Sequence, residues 1–148
     1  PTTEPPPPTV TPVASVRITR GGADVGAGPV TLEIGQSVDL VAVPLSASGT
    51  TLTRPVAWKS DATGIATVDP TSGRVTAVAV GTTLLTATSD TRSSTVPVAV
   101  QGPLTVAIEG PGAGTVTGTG VNCTGAGAPG CNASYAPGTA VTLTATPD

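Results

Sequence analysis

The chain has 148 residues, which is enough for one ordinary domain or two small ones. With 19 Gly, 16 Pro, one Trp, one Tyr and no Phe, it must build its core from aliphatic side chains and Thr methyl groups. Six basic residues lie singly in a chain of net charge −3, and no run of about 18 apolar residues occurs, which argues against a nucleic-acid-binding surface and against a membrane span.

The first twelve residues, PTTEPPPPTVTP, are rich in Pro and Thr and favour an extended polyproline-II spacer. We expect residues 1–12 to act as a tether that leads to a lipid or membrane anchor upstream; the alternative is an inert N-terminus of a mature protein. The chain begins at Pro1 and has no Met, which is consistent with removal of a signal peptide. With a charged fraction of only 10%, the sequence therefore predicts an extracytoplasmic protein of the periplasm or the cell surface.

Short runs of alternating apolar residues, separated by turn signals, begin at Val13. Gly and Pro interrupt every stretch of helical length, and no window has the apolar spacing of a helix. The predicted fold class is therefore all-β. The strands predicted in this region are residues 13–20, 30–34, 37–44, 55–59, 65–69, 74–78, 82–89 and 94–100.

Five segments of this region follow one another without large gaps: Gly35-Gln36-Ser37-Val38, Val56-Ala57-Trp58-Lys59-Ser60-Asp61, Ile65-Ala66-Thr67-Val68-Asp69, Gly73-Arg74-Val75-Thr76-Ala77-Val78 and Gly81-Thr82-Thr83-Leu84-Leu85-Thr86-Ala87. This series closely resembles the group 2 bacterial immunoglobulin-like domain. The resemblance implies an immunoglobulin-like β-sandwich over residues 13–101. Trp58 would supply its one large core side chain. Gly73 suits the left-handed position of a tight turn, and Gly81 lets the chain turn into the next strand.

Residues 102–148 form a second predicted unit, with four short strands at 104–109, 114–118, 131–135 and 140–146. The arrangement resembles the start of a small Gly-rich β-repeat of bacterial surface proteins. In that repeat, a hairpin with a Cys pair precedes a Tyr, a Pro-Gly turn and a V-T-L-T-A-T-P strand. The family's repeat continues past that Pro with an aromatic-containing segment. The resemblance therefore implies an incomplete module, which is truncated or is completed by material outside this chain.

Cys123 and Cys131 flank a flexible loop and are the two cysteines of the chain, so we expect a disulfide between them. A zinc site would need further Cys or His ligands, which the sequence lacks, and a redox-active pair would favour C-x-x-C spacing. A bridge across so short a loop should contribute about 2–3 kcal/mol to the stability of the local hairpin.

Catalytic chemistry has little support in the sequence. There is no His to act as a base and no Ser in a G-x-S-x-G elbow, and the single Lys59 is interpreted as a solvated residue near a strand end. Asp61, Asp69 and Asp90 lie at strand ends and are candidate oxygen ligands for calcium, although no D-x-D-x-D-G loop is present. We therefore predict no enzymatic activity, no catalytic residues, no cofactor and no metal.

The predicted function is that of a non-catalytic structural or interaction module of the bacterial cell envelope. It would serve as an accessory subunit docked on a larger membrane-associated assembly, or as a segment of a surface stalk. Its partners would be proteins, with a membrane complex as one candidate and nucleic acid excluded. The alternative is an adhesin or carbohydrate-binding module. We also expect residues 94–100 to form an edge strand that is open to pairing with another chain.

Overall fold

The computed structural model describes residues 10–26, 28–109, 113–125 and 128–147, and the regular structure in these ranges is β-strand. The predicted tether lies outside the described residues up to position 9. Nine strands belong to the N-terminal unit: β1 (Ser15–Arg20), β2 (Ala23–Asp24), β3 (Val30–Glu33), β4 (Ser37–Asp39), β5 (Val41–Leu45), β6 (Ala57–Ser60), β7 (Ala66–Val68), β8 (Arg74–Ala77) and β9 (Gly81–Ser89). The remaining strands are β10 (Arg92–Thr105), β11 (Gly114–Gly118), β12 (Val121–Cys123), β13 (Asn132–Tyr135) and β14 (Leu143–Pro147).

Alternation of apolar and polar residues explains why these segments form half-buried strands. Along β9, every second side chain from Thr83 to Ser89 is buried, and along β10 the same holds for Val96, Val98 and Val100. The all-β fold class predicted from the sequence is therefore confirmed.

Three sheets make up the N-terminal unit. The first has the order β2-β1-β5, the second contains β10-β9-β6 with β3 parallel to β10, and the third has the order β4-β8-β7. The longest pairing joins β9 and β10 in an antiparallel hairpin, from Arg92 opposite Ser89 to Val100 opposite Gly81. Between the sheets lies an aliphatic core with a single large ring, and its fully buried members include Leu40, Val75 and Leu85.

The predicted strand over residues 37–44 is divided in the structure. β4 ends at Asp39 and β5 begins at Val41, and the intervening Leu40 is completely buried. The backbone N–H of Leu40 donates a hydrogen bond of 3.1 Å to the carbonyl of Gly73 instead of extending a strand ladder. Two short strands, β2 and β12, were not predicted.

The expectation that residues 94–100 form an open edge strand is wrong for the second half of this segment. β10 pairs with β9 on one edge, while Val98–Gln101 pair in parallel with Val30–Glu33 on the other. An incoming chain therefore finds no free edge there. Among the described residues, no strand pairs with the β3 side of β10 before Val98. Pro97, the residue just before this pairing begins, has no N–H to donate to a neighbouring strand.

The C-terminal unit has a three-stranded sheet of order β12-β11-β14 and a small core of its own. The centre of this core is Val121 with the two cysteines, and the surrounding side chains are Leu104, Val106, Ile108, Val116, Ala128, Ala133 and Tyr135. The two cores are separate, and the division into units of residues 13–101 and 102–148 stays a prediction. β10 nevertheless continues through Gln101 and Gly102 without interruption.

Candidate functional site

Trp58 and Gly73, which the sequence singled out, contact each other in the core of the sandwich. Trp58 is 6% exposed and lies on β6. Gly73 has a φ angle of +74°, and a Cβ at this position would lie 2.8 Å from Nε1 of Trp58 and would also clash with the carbonyl oxygen of Leu40. Only glycine fits both the backbone conformation and the space beside the indole. These two residues therefore hold the fold and offer no binding surface.

Gly81, the other glycine named from the sequence, lies at the start of β9 against Ile65. A Cβ there would be 2.7 Å from Cδ1 of Ile65. Ile65 also accepts backbone hydrogen bonds from Val78 and Ala79 through its carbonyl oxygen, which fixes the chain as it leaves β8. Gly81 therefore allows β9 to begin close to the preceding turn.

Asp69 organises the turn between β7 and β8. Its Oδ1 atom accepts hydrogen bonds from the backbone N–H of Ser72 at 2.7 Å, the backbone N–H of Thr71 at 3.0 Å and the hydroxyl of Thr71 at 2.9 Å. The bond from the Ser72 backbone, followed by that from the Thr71 backbone, lowers the pKa of Asp69 from 3.8 to about 2 because both stabilise the ionised form. This carboxylate therefore stabilises the turn.

The calcium ligands suggested by the sequence do not come together. In the described parts of the chain, no group of three or more acidic or cysteine side chains is arranged to hold a metal ion, and this includes Asp61, Asp69 and Asp90. Lys59 is exposed on β6, next to the buried Trp58. The same ranges include no helix that is long and apolar enough to cross a membrane.

The two aromatic side chains of the chain are both engaged by the fold. Trp58 is buried, and Tyr135 is half-buried against the C-terminal core, where its hydroxyl donates a hydrogen bond to the carbonyl of Thr119. A shallow hollow of about 340 Å³ on the sandwich surface is lined by Asp61, Ala62, Thr82, Thr83, Leu84 and Pro97. Because sugar sites generally use exposed aromatic faces, the geometry gives no support to the carbohydrate-binding alternative.

A disulfide joins Cys123 to Cys131, with a Cα–Cα distance of 4.4 Å. It connects β12, which belongs to the C-terminal sheet, to the segment that leads into β13, which pairs with β10. Two backbone hydrogen bonds flank it: Asn122 N–H donates to Gly130 O at 2.9 Å, and Val106 N–H donates to Cys131 O at 2.8 Å. The bridge therefore ties the C-terminal sheet to the strand that comes from the sandwich.

The joint between the two units is built on one edge of β10. Val98–Gln101 pair with β3, and the next four residues, from Gly102 to Thr105, pair with β13. β3 and β13 therefore lie end to end along the same strand. Ser134 Oγ donates a hydrogen bond of 2.9 Å to Glu33 Oε1, directly across the gap between them.

β14 is a fully exposed strand of the C-terminal unit. All five of its side chains are exposed, and it pairs with β11 along one edge, from Gly114 opposite Pro147 to Gly118 opposite Leu143. No described strand pairs with its second edge. None of its five residues is charged, although charged side chains commonly protect such edges.

A comparison with curated protein sequences finds no match. Among solved structures, the chain is similar to domains 4 and 5 of the S-layer protein SbsC, with 27% identity, a TM-score of 0.45 and coverage of 56% of this chain and 53% of that one. Domains 5–6 of SbsC match with 27% identity, a TM-score of 0.47 and coverage of 68% and 50%. The match to a C-terminal 282-residue fragment of intimin, solved in complex with the intimin-binding domain of its receptor Tir, has 26% identity, a TM-score of 0.42 and coverage of 60% and 32%.

The chain thus spans about half the length of the SbsC fragments, with 53% and 50% covered. The model of the bacterial Ig-like domain (group 2) matches residues 12–100, which agrees with the region in which the sequence motifs were found. This match takes in Trp58, Gly73 and Gly81 and ends within β10. The chain belongs to the group 2 family of bacterial immunoglobulin-like domains.

Proposed function

We propose that this chain is a non-catalytic structural module of the bacterial cell surface, and specifically a stalk segment that holds neighbouring parts of an envelope protein at a fixed spacing. Membership of a bacterial Ig-like family over residues 12–100 supports an extracytoplasmic interaction module. The Cys123–Cys131 disulfide supports an oxidising location.

The observation that carries the stalk proposal is the course of β10. This strand begins at Arg92 in the sandwich and ends at Thr105 in the C-terminal unit, so the two units share a structural element in place of a loose linker. An accessory subunit that docks on a membrane complex would need a binding surface but would not need this end-to-end connection. The shared strand therefore favours the stalk over the docked subunit.

Several polar side chains of the sandwich are satisfied within the fold. Asp69 serves its turn, Ser60 Oγ donates to Ala66 O at 2.7 Å, and Ser89 Oγ donates to Pro55 O at 2.9 Å. Among the described residues, no buried side-chain nitrogen or oxygen atom lacks a hydrogen-bond partner. Such side chains stabilise strand ends and turns, as expected of a structural module.

The proposal is tested by isolating the natural protein from gently solubilised envelopes of the bacterium that makes it and identifying everything recovered by mass spectrometry. A stalk segment will be recovered as part of a long envelope protein with further surface modules. Recovery in fixed stoichiometry with integral membrane subunits would instead identify an accessory subunit. Recovery from the cytosolic fraction would overturn the envelope location.

A further inference from the structure

The sandwich and the C-terminal unit meet at a joint formed by a few residues of β10 and its neighbouring strands. Gln101 is the last residue of β10 to pair with β3, and Gly102 is the first to pair with β13. On the opposite edge, the pairing of β10 with β9 ends at Val100, opposite Gly81. The strand therefore loses its sandwich neighbours and gains a C-terminal neighbour within two residues, with no unpaired linker between them.

A flexible linker would contain several residues without backbone partners, since such residues are free to rotate. Here each residue from Val98 to Thr105 has a partner across the β3 or β13 side of the strand. The β3 pairing ends at Gln101 and the β13 pairing begins at Gly102, so the backbone between the two ladders is the single Gln101–Gly102 link. Hinge motion is therefore confined to the dihedral angles beside this link.

Side chains close the joint on both sides. The hydrogen bond from Ser134 Oγ to Glu33 Oε1 joins β13 to the end of β3 over 101 positions of sequence. Val80, just before β9, approaches Gly102 so closely that a Cβ at residue 102 would lie 3.0 Å from its Cγ2 atom. Glycine at 102 therefore allows β10 to pass against the end of the sandwich, and Val80 limits its movement in that direction.

From these contacts we infer that the two units form a single stiff body, whose relative orientation is set by the continuous strand β10 and by the contacts of Glu33 with Ser134 and of Val80 with Gly102. The C-terminal unit acts as an extension of the sandwich with a fixed direction. This inference rests on the proposed stalk function and deepens it, because a fixed spacing requires a rigid joint. Relaxation measurements test the joint, whereas the isolation from envelopes tests the location and the assembly.

Nitrogen-15 relaxation of the natural chain tests the inference directly. We expect one rotational diffusion tensor to fit the amides of both units, and order parameters at Gln101 and Gly102 of about 0.85, the value of rigid backbone. Separate correlation times for the two units, or order parameters below about 0.6 at the joint, would overturn it.

An insertion variant sharpens the test. Placing Gly-Gly-Ser between Gln101 and Gly102 interrupts β10 and should split the common tensor into two, with faster tumbling of the smaller C-terminal unit. The matched control carries the same insertion between Ser48 and Gly49, in the exposed turn after β5, and should keep the single tensor. A common tensor retained by the joint variant would show that β10 does not set the orientation.

A milder change covers the case in which the insertion unfolds the C-terminal unit. Ser134→Ala removes the hydrogen bond to Glu33 and leaves the strand intact, and Ser93→Ala is its control on an exposed position of β10. Residual dipolar couplings should show a changed angle or greater mobility between the units for the first variant and none for the second. Unchanged couplings in Ser134→Ala would exclude this contact from the joint.

Discussion

Gly73 lies against the indole of Trp58, so that a Cβ at position 73 would be 2.8 Å from Nε1 of the ring. The same glycine donates its N–H to Asp69 O at 3.1 Å and accepts a hydrogen bond from Leu40 N–H at 3.1 Å. One residue without a side chain thus connects the β7–β8 turn, the large ring of the core and the break between β4 and β5.

Replacement of Gly73 by Ala should destabilise the sandwich strongly. The left-handed backbone conformation costs a residue with a Cβ about 1–2 kcal/mol, and the clash with Leu40 and Trp58 should add about 1–3 kcal/mol. Urea unfolding followed by Trp58 fluorescence measures the loss. The control is Gly49→Ala, which has a similar φ of +78° but no atom within 4 Å of the added Cβ. Equal losses in both variants would show that the contact with Trp58 has no energetic importance.

Reduction of the disulfide should affect the C-terminal unit and spare the sandwich. Opening the Cys123–Cys131 bridge, which spans eight positions of sequence, should lower the stability of that unit by about 2–3 kcal/mol. Trp58 reports on the sandwich and Tyr135 on the C-terminal core, so the two units are distinguished by their fluorescence. A parallel fall in both signals on adding dithiothreitol would contradict two separate cores. The Cys123→Ala, Cys131→Ala double variant should be insensitive to the reagent.

Asp69 gives the sandwich a specific dependence on pH. Its pKa is lowered in the folded state from 3.8 to about 2, so the folded state favours the ionised carboxylate. The resulting stabilisation is fully present above pH 4 and is lost as the pH falls through 2. Asp69→Asn should therefore be less stable than the natural chain at pH 5, and this difference should shrink towards pH 2. A difference that does not change between these two pH values would contradict the assignment.

Ala99→Pro should destabilise the sandwich itself and not merely block association. Ala99 is 6% exposed and lies opposite Thr82 on one side and Thr31 on the other. Proline removes a ladder donor and introduces a ring between two strands, which should cost well over about 1 kcal/mol. Thermal unfolding followed by far-ultraviolet circular dichroism measures the effect. A folded Ala99→Pro variant of unchanged stability would show that β3 does not pair with β10 as described.

The sequence was sufficient to predict the all-β class, the family and the positions of most strands, because these depend on local alternation and on turn residues. Gly73 and Trp58 were both named in advance, since a glycine in a tight turn and the one large apolar ring are recognisable by type. Their contact with each other was not predicted, because it depends on the packing of segments 15 positions apart.

Two features of the joint were also not predicted, because they too depend on contacts between segments that are distant in sequence. Gly102 and Pro103 are typical of a turn, so the sequence suggested a boundary there, yet both lie within β10. Whether such residues end a strand depends on the neighbour alongside, and Pro103 lies opposite Ser134 of β13, far away in sequence. The Ser134–Glu33 hydrogen bond likewise joins two residues that neither belong to a motif nor lie near each other in the chain.

Amide hydrogen exchange along β10 tests whether one strand unites the Ig-like sandwich and the C-terminal unit into a structural module. We predict protected amides on both sides of the Gln101–Gly102 bond, within Val98–Gln101 and again within Gly102–Thr105, because both segments are paired. Protection that ends at Gln101, with rapid exchange from Gly102 onwards, would mean that a flexible linker joins the units and that β10 does not unite them.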